Sequence, residues 1–309
     1  MDNGKFAVFL SSRKNALSAQ FRARSLSLGY HSKPRFLIIG AQKAGTTALY
    51  YYLAEHPDIV PSSEKELGFF TPEIFADWPE HPSHWVLCTQ DGAPHFADPR
   101  AHRKALAWYH GHFPPPHRLG RRRLTFEATP EYLYYPQAPE RIFQYDPKMK
   151  LIALLRDPVE RAFAAWNMYS RFGDYRPLVY APRKETRKFH EAVDDEIDEI
   201  QSGKTISDPG YVRRGLYYEQ FQRYFSYFRR EQILILDSRG LRSNTSEIVH
   251  QVITFLQLSE YRHAQEWAQI HVGEYDAAIP VATRQLLQNF YKPHNEKLYE
   301  LLGHDFEWS

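Results

Sequence analysis

Gly40, Lys43, Gly45 and Thr46 are the residues of this chain whose types and spacing most directly suggest chemistry. They stand in "GAQKAGTT", where two glycines keep the GxxxxG spacing of a phosphate-cradling loop. In a nucleoside triphosphatase the lysine follows the second glycine, and the next Ser or Thr holds Mg²⁺. Here Thr46 takes that lysine's place and Lys43 lies between the glycines. A glycine turn ahead of a helix still offers several backbone N–H groups to an anion. Lys43 would arch over the middle of the loop, near a bridging oxygen between the bound phosphate and whatever it carries. That arrangement suits a ligand whose leaving group is the loop-bound phosphate and whose transferred group points outward.

Such a loop needs a strand before it and a helix after it, and both are legible. "PRFLIIG", Pro34 to Gly40, is an apolar, β-branched run ending in glycine, as a buried parallel strand reads. Good helix formers run from Thr46 to Glu55, and His56-Pro57 stops them. "MKLIALLRDP", Met149 to Pro158, predicts a second buried strand that breaks at Asp157-Pro158, followed by a helix in "VERAFAAWNMYSRF". "QILILD", Gln232 to Asp237, predicts a third strand after an amphipathic "YYEQFQRYFSYF" helix. Segments 246–256 and 283–302 also read as helices. Strands alternating with helices imply an α/β fold with a central, mostly parallel sheet flanked by helices.

Two regions interrupt the alternation. Residues 71–123 are rich in Pro, His and Trp, and residues 173–210 are strongly charged. The second half of "RKETRKFHEAVDDEIDEIQSGK" alternates acids with Ile and Val at helical spacing, which predicts a solvated amphipathic helix. The expected organisation is a basic N-terminal extension over 1–33 and one domain over 34–309. That extension carries six Lys and Arg against Asp2 and is serine-rich, a composition compatible with a transit peptide, a peripheral membrane anchor or a loose basic tail.

Composition narrows the classes. The 309 residues carry a net charge of +2, so a polyanion-binding role does not follow from charge. Cys88 is the single cysteine, which excludes an internal disulfide and cysteine-based metal or redox sites. No apolar run approaches the roughly 20 residues that span a bilayer.

With these elements in order, the chain resembles the nucleotide-dependent sulfotransferases, in particular their carbohydrate, heparan sulfate-like branch. The resemblance rests on "IIGAQKAGTTALYYYLAEHPDI", "KELGFF", "WYHGHFP", "FEATPEYLY", "LLRDPVERAFAAW", "RRGLYYEQFQRYFSYF" and "YKPHNEKLYELLGHDFEW", in that order. It implies a P-loop-like sulfotransferase fold and sulfuryl transfer from 3′-phosphoadenosine 5′-phosphosulfate to an acceptor hydroxyl or amine. It further implies that Gln42, Lys43, Ala44, Gly45, Thr46 and Thr47 cradle the 5′-phosphate and that Lys43 stabilises charge on the bridging oxygen. By the same resemblance Arg156 meets the 3′-phosphate, Ala164, Tyr217 and Gly273 occupy further nucleotide positions, and Glu66 is the catalytic base, with Glu64 as its competitor. The match departs from the family at Ala164, where many relatives have a serine, and at Ala128, where the heparan sulfate enzymes have a lysine. It departs also at Val272-Gly273 in place of Lys-Gly and at Gly68. Arg213 or Arg214 is the expected replacement for the lost nucleotide contacts.

Three other readings compete. A P-loop kinase would need a lysine at Thr46 and an acid such as Asp237 for Mg²⁺; an idle nucleotide- or glycan-binding protein would need neither base nor lysine. Sulfation of a small alcohol or phenol would keep the donor and change the acceptor. The sugar hydroxyl, on a polysaccharide or glycolipid, is the acceptor the resemblance favours. No metal is expected, because His110, His112 and His117 lack zinc spacing on one element. Nucleic acid is not an expected partner either: Arg121, Arg122, Arg123 and the 183–188 cluster attract polyanions generally but come with no recognition helix or stacking motif. A cytoplasmic, bacterial setting is the expected location.

Overall fold

The computed structural model describes residues 32–308 apart from 77, 79–80, 115–122, 174–179, 181–182, 205–207, 261–266 and 268–277. Residues 1–31 of the predicted basic extension, and Gly273, therefore lie outside the described residues. The centre is a five-stranded sheet in the order β2-β3-β1-β4-β5, comprising β1 (Phe36–Gly40), β2 (Ile59–Pro61), β3 (Leu124–Ala128), β4 (Lys150–Leu155) and β5 (Ile233–Asp237). All neighbouring pairs are parallel, with Phe36 opposite Phe126 on one side and Lys150 on the other. The fold class expected from the alternating pattern is the one observed.

Parallel strands covered on both faces need apolar residues at every position, not every second one. In β1 every residue is buried, and in β4 only Lys150 is partly exposed. Those two runs were legible for that reason. β2 and β3 were not read as strands. β2 has three residues, too few for a pattern, and β3 reads "LTFEA", with an acid as its fourth residue.

The chain leaves β1 for β2 and β3 on one side, then crosses to β4 and β5 on the other. The point where the winding reverses therefore lies at the carboxyl end of β1, the usual location of a ligand crevice in doubly wound sheets. Helix α1 (Thr46–Ala54) begins there and packs against β2 and β3.

A second, smaller core gathers helix α5 (Pro158–Ser170), helix α6 (Phe189–Gln201) and helix α10 (Val281–Leu302) around Phe163, Phe189, Val193, Tyr211, Leu287 and Tyr291. Between α1 and α5 come α2 (Pro99–Gly111), α3 (Glu131–Tyr134) and α4 (Ala138–Tyr145). Between α6 and α10 come α7 (Tyr217–Phe225), α8 (Ser238–Ser243) and α9 (Thr245–Leu256). The helix predicted in the charged 183–204 stretch exists as α6, but it is not simply solvated. Its Glu196 is buried and accepts hydrogen bonds from the backbone N–H groups of Val212 (2.9 Å) and Arg213 (2.8 Å). Burial raises the Glu196 carboxyl above the ordinary range, against the pull of those two N–H donors. Among the described residues, no helix is long and apolar enough to cross a membrane.

Candidate active site

Two residues in the left-handed region shape the turn after β1: Lys43 at φ 69° and Gly45 at φ 95°. Gly45 has a second reason to be glycine. A Cβ there would stand 2.9 Å from Leu241 Cδ2, inside contact distance. Gly45 is also the N-cap of α1, and no side chain caps that end. The first-turn N–H groups of α1 thus keep their donor capacity for a bound anion, reinforced by the positive end of the helix dipole.

The second motif closes on the first. Asp157 caps α5 by accepting from the N–H groups of Val159 (2.8 Å) and Glu160 (3.3 Å), and Pro158 sits in the first helical turn where its missing N–H costs nothing. That cap sets where β4 ends, and Arg156 projects there. Its Nη1 donates to the Lys43 carbonyl at 3.1 Å, while Glu160 stands 3.9 Å from Nη2. The Arg156–Glu160 ion pair is thus long, and Glu160 also meets Arg284 at 2.8 Å.

The residues from Lys65 to Gly68 bend twice, with Glu66 at φ 65° and Gly68 at φ 66°. The Glu66 N–H donates to the Ala128 carbonyl at 3.0 Å, and the Gly68 N–H to Thr129 Oγ1 at 3.3 Å. A Cβ on Gly68 would meet Phe75 Cε2 at 2.5 Å, so the glycine that departs from the family pattern is packed tightly in place. The Glu66 carboxylate is more than half exposed, at 56%, and receives the Lys65 ammonium at 2.6 Å.

Gln42, Lys43, Ala44, Gly45, Thr46, Thr47, Glu66 and Arg156 all line one cleft of about 800 Å³. Glu64 lines it as well. Of the two arginines offered as replacements, Arg214 lines the cleft and Arg213 does not; Arg213 donates instead to the Lys204 carbonyl. Arg214 is held by Glu131, by the Pro209 carbonyl (2.7 Å) and by the Tyr134 ring beneath it (4.2 Å). Burial works against its charge, but Glu131 and the surrounding tyrosines outweigh that and raise its affinity for the proton. Glu131 also accepts from Gln42 Nε2 at 3.1 Å.

Two expected nucleotide residues stand behind the cleft wall instead of on it. Ala164 is 1% exposed on α5 and packed in the interior. Tyr217 is buried and donates its hydroxyl to the Arg156 carbonyl at 2.9 Å, so it steadies Arg156 from behind. Asp237, the acid considered for Mg²⁺, caps α8 through the Arg239 N–H and binds Arg239 Nε, both at 2.8 Å. The histidines have structural partners too: His110 meets the Tyr145 hydroxyl at 2.9 Å and His112 the Ser63 hydroxyl at 2.8 Å, while His117 lies outside the described residues.

Glu127 was missed. It is fully buried on β3, where Tyr109 (3.1 Å), Tyr132 (2.5 Å) and Thr129 (2.7 Å) all donate to its carboxylate. Burial pushes its pKa up to about 7, and the three hydroxyl donors and nearby Lys65 pull it only part of the way back. Thr129, one of these donors, lines the cleft. An acid inside a short apolar run was the available signal.

The fold and the cleft define a P-loop-like α/β protein whose phosphate turn has exchanged its NTPase lysine for a threonine. The chain belongs to the sulfotransferase family, whose sequence profile matches residues 34–262. It is 25% identical to a membrane-associated sulfotransferase, kil1, of Dictyostelium discoideum, over 89% of this chain and 66% of that protein. It is 28% identical to mouse heparan sulfate glucosamine 3-O-sulfotransferase 6, over 89% of this chain and 73% of that protein. With the mouse bifunctional heparan sulfate N-deacetylase/N-sulfotransferase 4 it shares 27% identity over 87% of its own length but only 30% of that enzyme's. The chain thus spans less than two thirds of the length of some of these relatives. The crystal structure of a sulfotransferase from Alicyclobacillus acidocaldarius superposes with a TM-score of 0.62 at 26% identity, covering 89% of this chain and 98% of that one.

Proposed function

We propose that this protein moves a sulfuryl group from 3′-phosphoadenosine 5′-phosphosulfate to an acceptor hydroxyl or amine by in-line displacement. One observation carries the reading: an uncapped lysine–glycine turn, the Arg156 fork and the Glu66 carboxylate share a single cleft. When bound, the donor supplies a sulfur atom already activated by its bond to the 5′-phosphate. As the acceptor oxygen bonds to sulfur, the bond from sulfur to the phosphate oxygen breaks, and negative charge collects on that oxygen. The Lys43 ammonium and the first-turn N–H groups of α1 neutralise this charge without having to reorganise. Arg156 offers a planar fork to the 3′-phosphate, a geometry matched to phosphate oxygens. Glu66 takes the proton that the acceptor releases, with Lys65 holding the carboxylate in position.

The acceptor is proposed to be a carbohydrate or glycolipid hydroxyl, a reading supported by the heparan sulfate names of the relatives. The kinase reading loses its support because Thr46 fills the required lysine position and Asp237 is engaged as a helix cap. Calorimetry tests the proposal. The product 3′-phosphoadenosine 5′-phosphate should bind without Mg²⁺, and ³⁵S-labelled donor should pass its label to an acceptor. Magnesium-dependent ATP binding with no affinity for the bisphosphate would overturn it.

A further inference from the structure

The cleft has two unlike halves. Beside the phosphate turn lie Lys43 and Arg156, and Arg242 follows Leu241, which packs against Gly45. The far half is walled by rings. Phe75 stacks on His81 at 4.7 Å, Trp78 lies 4.6 Å from His81 and 5.2 Å from Tyr180, and Tyr180 lies 5.3 Å from Phe172. All five border the cleft, but only His81 and Tyr180 are half-buried; Phe75 (4% exposed), Trp78 (8%) and Phe172 (4%) form the packed layer behind them.

Among the described residues, each lysine or arginine lining the cleft besides Lys43, Arg156 and Arg242 is paired with an acid. Arg183 meets Asp208 at 3.3 Å and lies over the Trp78 ring at 4.5 Å; Arg214 meets Glu131; Lys65 meets Glu66 at 2.6 Å. Glu64 adds a further carboxylate to the same lining. Burial, with Arg183 nearby, lowers the His81 pKa, so this histidine does not supply a cation at neutral pH. An acceptor bearing carboxylates or sulfates would meet acids and already-paired cations here and would lose its hydration with little return.

Resting on the sulfuryl-transfer reading above, we propose that the acceptor is an uncharged hydroxyl compound with an apolar or aromatic body. That body packs against Tyr180 and His81, which Trp78, Phe75 and Phe172 hold in place from behind, and its hydroxyl reaches toward Glu66. An aryl or alkyl glycoside has this chemistry; a polyanionic glycan does not. The aromatic wall thus acts as the specificity-determining subsite.

The test uses the full chain, ³⁵S-labelled donor and four acceptors: a neutral aryl glycoside, its methyl glycoside, the matching aryl glucuronide and a heparan oligosaccharide. The aryl glycoside should exceed the methyl glycoside in kcat/KM by at least about tenfold, as burial of one ring implies. The glucuronide and the oligosaccharide should rank lower still. Trp78→Ala, and independently Tyr180→Ala, should raise KM for the aryl glycoside and shrink its advantage over the methyl glycoside. Bisphosphate affinity measured by calorimetry should stay within about twofold and reports on folding of each variant. Preference for the anionic acceptors, or an aryl advantage that survives both variants, would overturn the subsite while leaving sulfuryl transfer intact. Absence of bisphosphate binding and of label transfer to any acceptor would instead remove the reading on which the subsite rests.

Discussion

Arg156 Nη1 donates to the backbone carbonyl of Lys43 at 3.1 Å, tying the end of β4 to the turn that follows β1. One guanidinium therefore both shapes the phosphate loop and presents its remaining N–H groups to the cleft. The two strands that carry these residues are neighbours in the sheet, so the bond is short-range in space across 113 positions of sequence.

Arg156→Ala should weaken bisphosphate binding by about 10- to 100-fold, the worth of one or two charge-assisted hydrogen bonds. Arg156→Lys should recover only part of it, because a point ammonium cannot serve the Lys43 carbonyl and a phosphate together. Calorimetric titration of both variants checks this. Full recovery by lysine would mean that the fork geometry is irrelevant.

Lys43→Met keeps the aliphatic stem and removes the charge. Turnover should fall by about 10²–10³-fold, the usual effect of deleting one donor to a developing anion. Bisphosphate affinity should fall less, since the first-turn N–H groups of α1 remain. Single-turnover kinetics separate the two effects, and an affinity loss as large as the rate loss would assign Lys43 to ground-state binding alone.

Glu66→Gln should leave nucleotide affinity intact and lower turnover by a factor on the order of 10²–10⁴. Glu64→Gln, on the same cleft, should have a much smaller effect. Reversal of that order would move the base from Glu66 to Glu64.

Glu127 predicts a pH dependence of stability. Its pKa stands at about 7 in the folded protein against an ordinary 4.5, so the folded state holds this proton more tightly than the unfolded chain. Stability from this group is complete below the lower value and is lost as pH rises through the interval to about 7, by roughly 3 kcal/mol. Glu127→Gln should flatten the decline over that interval in urea unfolding followed from pH 4.5 to 8. An unchanged slope would show that Glu127 titrates normally.

How much of this was readable in advance depended on the range of the forces involved. The apolar runs of β1 and β4, the glycine spacing of the turn, and the prolines that end α1 and follow β4 are local signals. They located the turn and the end of β4, whereas the roles expected of Arg156 and Glu66 came from the resemblance to the sulfotransferases. β3 escaped because Glu127 breaks its apolar run, and an acid in that position is tolerable only with Tyr109, Thr129 and Tyr132 arranged around it. The choice between Arg213 and Arg214 escaped for a similar reason. Adjacent in the chain, they point to different partners, and the Glu131 carboxylate and Tyr134 ring that hold Arg214 come from another element.

The amino-acid sequence alone thus settled the α/β architecture and the position of the glycine–lysine turn between β1 and α1, because hydrophobic period, backbone handedness and helix capping act within a few residues. Which side chains face the cleft, which stand behind it and which charges cancel was decided only in the tertiary structure. Burial, pairing and close approach depend on segments that the chain brings together from distant positions, and no local pattern encodes them.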